Sequence, residues 1–418
     1  MSIASQERWI ATRSAGLKRL ETFLPRAGND YASRRNYDMG AERRHNVSCL
    51  SPWLRHRLIL EEEVIDAVLG IHTLSAAEKF VQEVCWRTYW KGWLEMRPSV
   101  WVDYREAVAA FTSRVARDPD LSARYTLAVS GKTGIECLDY WVRELIGTGY
   151  LHNHARMWFA SIWIFTLELP WEAGADFFLR HLLDGDAASN TLSWRWVAGL
   201  HTAGKAYLAT ADNIARYTNG RFCPSGQLSL RAEPPGAVQA VAPQPLPAPV
   251  PPVRGLRTGL LLTEEDLSPE SLILQSVRPK ALAALACTRE RSPLGVSGLV
   301  SDFAIAAVSD GLSRASAYFG LAAGTKLDPE RLQGQLLSWC LHHELEQVVV
   351  PYVPVGVVKD VLQPALSMLA KRGLHIALIR RSWDESHWPY ATHGYFRFKK
   401  TVLPGLRKWN AGAGPQTL

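Results

Sequence analysis

Residues 223–254 read CPSGQLSLRAEPPGAVQAVAPQPLPAPVPPVR, and nine of the chain's 24 prolines fall within them. Proline fixes φ and removes a backbone donor, so neither a helix nor a central strand continues through such a run. The stretch predicts a semi-rigid extended linker. It divides two segments of different texture. Before it, residues 58–69, 76–95, 135–147, 151–168 and 173–183 carry apolar groups at three- and four-residue spacing, broken at Pro, Gly or Asp-rich turns. After it, short apolar runs at 259–263, 281–287, 347–352 and 375–379 alternate with helical patterns over 303–319, 329–344 and 357–372. Runs of that length between helices are the mark of parallel α/β layering. The expected fold class is therefore α plus α/β. An all-helical domain spans 1–222, the Pro-rich linker 223–254, and a smaller parallel α/β, Rossmann-like domain 255–418.

Composition bounds the function. Of 16 tryptophans in 418 residues, twelve lie before residue 200, a heavy aromatic load that needs either a large core or a use. The apolar fraction of 47% and charged fraction of 21% are ordinary for a globular chain. No apolar run reaches the roughly 18 residues of a membrane span. The opening MSIASQER has no apolar core, so no secretory leader is expected and the chain reads as cytoplasmic. The net charge of +7 is unevenly spread. Residues 1–222 hold 27 Lys+Arg against 25 Asp+Glu, and residues 223–418 hold 20 against 15. A nonspecific nucleic-acid binder is not indicated, and phosphate contact would need a local patch such as Arg34-Arg35 with Arg43-Arg44. The six cysteines are scattered without a CxxC, which argues against a metal site or a disulfide framework. A monomer is expected.

Four short stretches could carry chemistry. DGDAASNTLSWRW (184–196) sets two carboxylates around a glycine, then an amide and two alternate tryptophans. Carboxylates can accept from ribose hydroxyls or hold a protonated ring nitrogen, but an acidic helix cap beside core Trp meets the same pattern. In EVCWRTYW (83–90), Glu83 and Arg87 are four apart, as are Trp86 and Trp90. That gives an ion pair and a stacking wall, or a surface pair beside a core stripe. GYLHNHARM (149–157) opens an apolar helix with a polar cluster suited to an anion or polar ligand. SCLSP (48–52) puts hydroxyls ahead of a helix, where capping and phosphate binding are equally served.

Taken together and in this order, the stretches resemble the flavin-binding helical domain of the photolyase/cryptochrome family. The resemblance adds Tyr31 with Arg35 and the Thr133-Gly134 to Asp139 segment, and covers about residues 28–200. It implies FAD, with Ser48, Leu50 and Ser51 at the pyrophosphate. Asp184 and Asp186 would meet the ribityl and isoalloxazine edge, and Arg156 would pair with Asp184. Tyr31, Phe80 and Arg87 would complete the cofactor set. Asn190 would face flavin N5, where an amide suits a protonated nitrogen and the reduced flavin of photolyases. Glu83, Trp86, Asn153, Met157 and Trp196 match lesion-pocket positions, with Trp86 and Trp196 against a flipped cyclobutane pyrimidine dimer. Trp194 and Trp171 match the proximal and middle members of a photoreduction chain. The distal position falls in 112–124, which has no Trp, leaving Trp141, Trp163 or Tyr125 as substitutes.

The function so implied is light-driven DNA repair by electron transfer from reduced FAD, with damaged DNA as partner. The alternatives are a cryptochrome-like photosensor that binds FAD without repair, and a flavin protein without a light function. Relatives in this family begin with an α/β antenna domain, whereas here the α/β pattern follows the linker. GLLLTEEDL (259–267) and the 388–400 stretch echo that domain's opening and close, which suggests a circularly permuted order. The resemblance extends to an antenna chromophore there, a folate or a deazaflavin. Glu264-Glu265 stand where basic residues are usual, and 205–221 departs from the family's pattern.

Overall fold

The computed structural model describes residues 9–202, 205–236 and 240–412, with side chains described to residue 406. The opening 1–8, read above for a leader, lies outside them. The first part is helical: α1 (Arg13–Phe23), α2 (Asn29–Arg34), α3 (Ser51–Arg55), α4 (Glu61–Leu69) and the long α5 (Leu74–Glu95) come first. Then follow α6 (Ser99–Val115), α7 (Pro119–Val129), α8 (Glu136–Thr148), α9 (Asn153–Ser161), α10 (Trp171–His181), α11 (Ala187–Val197) and α12 (Ala211–Tyr217). The helix starts obey local chemistry. Asp118 precedes Pro119 and accepts from Leu121 N at 3.0 Å, and Asp186 accepts from Ser189 N at 2.8 Å, satisfying amides that have no partner within the helix. The continuous helix expected over 151–168 instead changes pitch to a π-turn at Ile162–Thr166.

The second part holds β1 (Thr258–Thr263), β2 (Ala281–Leu285), β3 (Thr325–Leu327), β4 (Gln347–Pro351) and β5 (His375–Ile379), ordered β3-β2-β1-β4-β5. All four neighbouring pairs are parallel. The helices α13 (Gly298–Phe319), α14 (Leu332–His342), α15 (Val357–Lys371), α16 (Ser382–His387) and α17 (Tyr395–Gly412) accompany them. β1, β2 and β4 are buried along their whole length, as strands covered on both faces must be, and so read as unbroken apolar runs. β3 has three residues, two of them exposed, and no apolar run announced it.

The stretch 223–254 is not a free spacer. Val250 exchanges backbone hydrogen bonds with Leu378 of edge strand β5 (3.1 and 2.8 Å), and Gln244 N donates to Met96 O at 2.8 Å. Arg97 Nε donates to Val241 O at 2.9 Å. The extended chain therefore straps the sheet to the helical part.

A buried ion network joins the two parts. Arg55 and Lys91 reach Glu265 at 2.7 and 3.0 Å, and Arg57 reaches Asp384 at 2.7 Å and Asp266 at 3.4 Å, while within the second part Arg381 holds Asp266 through two 2.6 Å bonds. This explains the acidic pair after β1: Glu264 and Glu265 answer arginines and a lysine of the helical part. Their charges hold Glu265 down to about pKa 2 against the opposing effect of burial. Among the described residues no helix is long and apolar enough to cross a membrane.

Candidate functional site

A cavity of about 460 Å³ opens in the helical part between α2, the start of α3, α5 and the α8–α9 turn. Ten residues singled out by sequence line it: Tyr31, Ser48, Leu50, Ser51, Phe80, Glu83, Asn153, Arg156, Met157 and Asp184. Each arrives for a local reason. Tyr31 is set edge-on between Phe23 and Phe80 (5.9 and 5.2 Å). Cys49 takes a left-handed φ of 54°, and Leu50 N turns to Ser48 Oγ at 3.4 Å while Arg19 Nε donates to Ser48 O at 2.8 Å. Gly149 ends α8 at φ +67°, a conformation open to glycine, so that 150–153 can double back along the cavity. His152 then starts α9, its Nδ1 accepting from His154 N (3.2 Å) and its Nε2–H donating to Arg35 O (3.0 Å). Burial lowers its pKa to about 4, so it is a neutral brace of fixed tautomer.

Two charge pairs shape the walls. Arg156 Nη2 meets Asp184 Oδ2 at 2.8 Å and Arg156 Nε donates to Leu151 O at 2.9 Å. Asp184 Oδ1 is buried with no hydrogen-bond partner in the protein, which marks an acceptor kept for something else. Opposite, Arg35 bonds Glu83, a pairing between α2 and α5 that no spacing in the sequence revealed. Burial holds the Tyr31 hydroxyl protonated, well above the usual phenol range. An unused carboxylate oxygen, the Ser48 and Ser51 hydroxyls and the apolar Tyr31–Phe80–Leu50 wall fit a large, flat ligand with a polar edge and an anionic tail. These residues fit a flavin nucleotide.

The remaining residues of the sequence set lie outside the lining. Asp186 has both oxygens engaged, by Ser189 N and by Arg87 and Lys91 at 3.1 and 3.3 Å. Arg87 is further held by Glu61 at 3.2 Å and Arg55 O at 3.1 Å. Asp186 shares Lys91 with Glu265 of the α/β part, and Arg87 is answered by Glu61 and Asp186 within the helical part rather than by Glu83 four residues before it. Asn190 donates its amide N–H to Ala175 O at 2.7 Å, which leaves its oxygen as the free acceptor. Trp194 is buried, set edge-on to Phe178 (5.0 Å) and Trp163 (6.4 Å). It lies so close to α10 that a Cβ on Gly174 would fall 2.3 Å from its ring. Trp163 continues to Tyr125 at 6.1 Å, whereas Trp171 borders a separate cavity of about 530 Å³ roofed by Glu233, Pro235 and Val241. Trp86 and Trp196 each stack on a tyrosine of the chain itself, Tyr395 at 3.5 Å and Tyr207 at 5.7 Å.

Residues 80–221 match the family described as the FAD binding domain of DNA photolyase. The chain is similar to deoxyribodipyrimidine photo-lyases from several bacteria. That of Synechococcus sp. is 31% identical over 194 residues, 44% of this chain and 38% of that protein. That of Streptomyces griseus is 36% identical over 157 residues (37% and 33%), and that of Escherichia coli 28% over 201 (46% and 40%). Among solved structures, a Synechocystis sp. cryptochrome is similar at 23% identity and TM-score 0.42, covering 49% of this chain and 43% of that one. A class III photolyase from Agrobacterium tumefaciens follows at 24% and 0.40, covering 49% and 44%. The chain thus spans between 33% and 40% of the length of these three curated relatives.

Proposed function

We propose that this protein binds FAD in the α2–α5–α9 cavity and repairs cyclobutane pyrimidine dimers in DNA under light. The observation that carries the reading is the Arg156–Asp184 pair with its unspent Oδ1, in one cavity with Glu83, Asn153 and Met157. When bound, reduced FAD supplies the chemistry: an excited-state electron lent to the dimer and returned after it splits. The chain's own residues do the rest. Asp184 Oδ1 would accept from the ring edge while Arg156 fixes that carboxylate, and Asn190, behind the cavity lining, would offer its amide oxygen to a protonated ring nitrogen. Ser48 and Ser51 take the anionic tail. Glu83, held by Arg35, presents a carboxylate to the pyrimidine edge, and Met157 with Asn153 close the mouth. Circular permutation, with the α/β domain moved behind the helical one, accounts for the order of the two parts. The parallel sheet following the strap supports it.

The test separates binding from chemistry. Asp184→Ala is expected to lose flavin, read as loss of the absorption band near 450 nm. Glu83→Ala is expected to keep flavin yet lower light-dependent repair of a dimer-containing oligonucleotide about 10²-fold or more. Full flavin occupancy in Asp184→Ala would overturn the placement of the ring.

A further inference from the structure

Trp86 is the indole that the repair reading assigns to the flipped base, and in this structure its face is taken. The Tyr395 ring lies on it at 3.5 Å between centroids and 11° between planes, closer and flatter than the tilted contact of Trp86 with Trp90 (5.2 Å, 32°). Tyr395 is only 4% exposed, and its Oη donates to Gln82 O at 2.7 Å. It opens α17, which lies along α5 and also buries Phe398, Val402, Leu403 and Leu406. Lys399 Nζ meets Glu78 Oε1 at 2.6 Å, and Phe398 packs on Tyr89 at 5.4 Å. Just before the helix, Tyr89 and Arg97 bond the carbonyls of His393 and Thr392 at 2.8 and 2.7 Å. These anchors precede Tyr395, so the helix can lift about them. Its outer face exposes Phe396, Arg397 and Lys400 to solvent, cations beside a site where a phosphate backbone would arrive. A flat aromatic ring seated on an indole presents the geometry that an extruded base uses on such a platform.

We propose that α17 is an internal occupant of the base-stacking site, with Tyr395 on the face of Trp86 that an extruded pyrimidine takes, so that substrate binding requires α17 to leave α5. This deepens the repair reading and rests on it. A site closed in most molecules binds with its intrinsic affinity reduced by the open fraction.

The experiment uses the full chain loaded with FAD, in the dark, and an oligonucleotide carrying one thymine dimer, read by fluorescence anisotropy and by amide hydrogen exchange over 395–406. Tyr395→Ala is expected to bind about tenfold tighter or more than the parent, and Tyr395→Phe, which keeps the ring, to bind like it. Lys399→Glu, which breaks the outer ion pair without touching the stack, should move in the same direction as Tyr395→Ala and covers the case in which that variant fails to fold. In the parent, saturating oligonucleotide should speed exchange over 395–406. Unchanged protection there, or Tyr395→Ala binding no tighter while retaining flavin, would overturn the occupant and leave the repair reading standing. If parent and variants all fail to bind with flavin in place, both fall.

Discussion

Asp176 of α10 is 1% exposed, with Oδ2 accepting from Ser292 Oγ at 2.9 Å and Oδ1 without a partner. Burial raises its pKa to about 6, whereas an aspartate in the unfolded chain titrates near 3.9. The folded state therefore holds a proton that the unfolded state has released between about pH 4 and 6. The stability linked to that proton is complete below about pH 4 and is lost as pH rises through 6, on the order of 2–3 kcal/mol. Asp176→Asn keeps the Ser292 bond and removes the titration. Relative to the parent, its stability in urea should be nearly unchanged at pH 4 and clearly higher at pH 7.5; equal parent–variant differences at the two pH values would contradict the assignment. At this scale the sequence showed which residue types cluster, as with Arg156 and Asp184. It did not show that one Asp184 oxygen stays free while both Asp186 oxygens are spent, because partner counts depend on helices brought together from far apart in the chain.

The element that delivers Asn153, Arg156 and Met157 to the cavity is the α8–α9 turn, and it pivots on Gly149. A Cβ there would fall 2.6 Å from Leu299 Cδ2 and 2.7 Å from Leu183 Cγ, on a backbone at φ +67°. Gly149→Ala should cost about 1–3 kcal/mol from backbone strain, with more from the contact with Leu183 and Leu299. It should also lower flavin retention, since the turn cannot shift without moving α9. A differential scanning melt with absorption at 450 nm checks both; an unchanged melt would show that the turn relaxes freely. Most elements were legible because each buries a face of fixed period. β1, β2, β4 and β5 fall within a residue or two of the predicted runs. β3, the π-turn and the strap were not, since a three-residue edge strand, a local pitch change and a Pro-rich segment carry no periodicity of their own.

Across the whole molecule, the helical part and the sheet are held by charges that neither could bury alone. Arg57 of the helical part meets Asp384 at 2.7 Å and Asp266 at 3.4 Å, both in the α/β part. Removing one member of a buried pair strands the other charge, and typical losses are about 3–5 kcal/mol. Arg57→Ala should destabilise by that order and shift far-UV circular dichroism and tryptophan fluorescence together, in a single denaturant transition. Two separated transitions would mean that the two parts unfold independently.

The sequence by itself determined the helical-then-α/β order, the position of the Pro-rich break and the residues that gather around the cavity, because period, proline content and short ordered motifs are local properties. Only the tertiary structure decided which carboxylates are spent, that Glu264 and Glu265 face arginines and a lysine of the helical part, and that Tyr395 covers Trp86. Those outcomes join residues up to several hundred positions apart, and an ion pair or a ring stack at such separation leaves no trace in spacing along the chain.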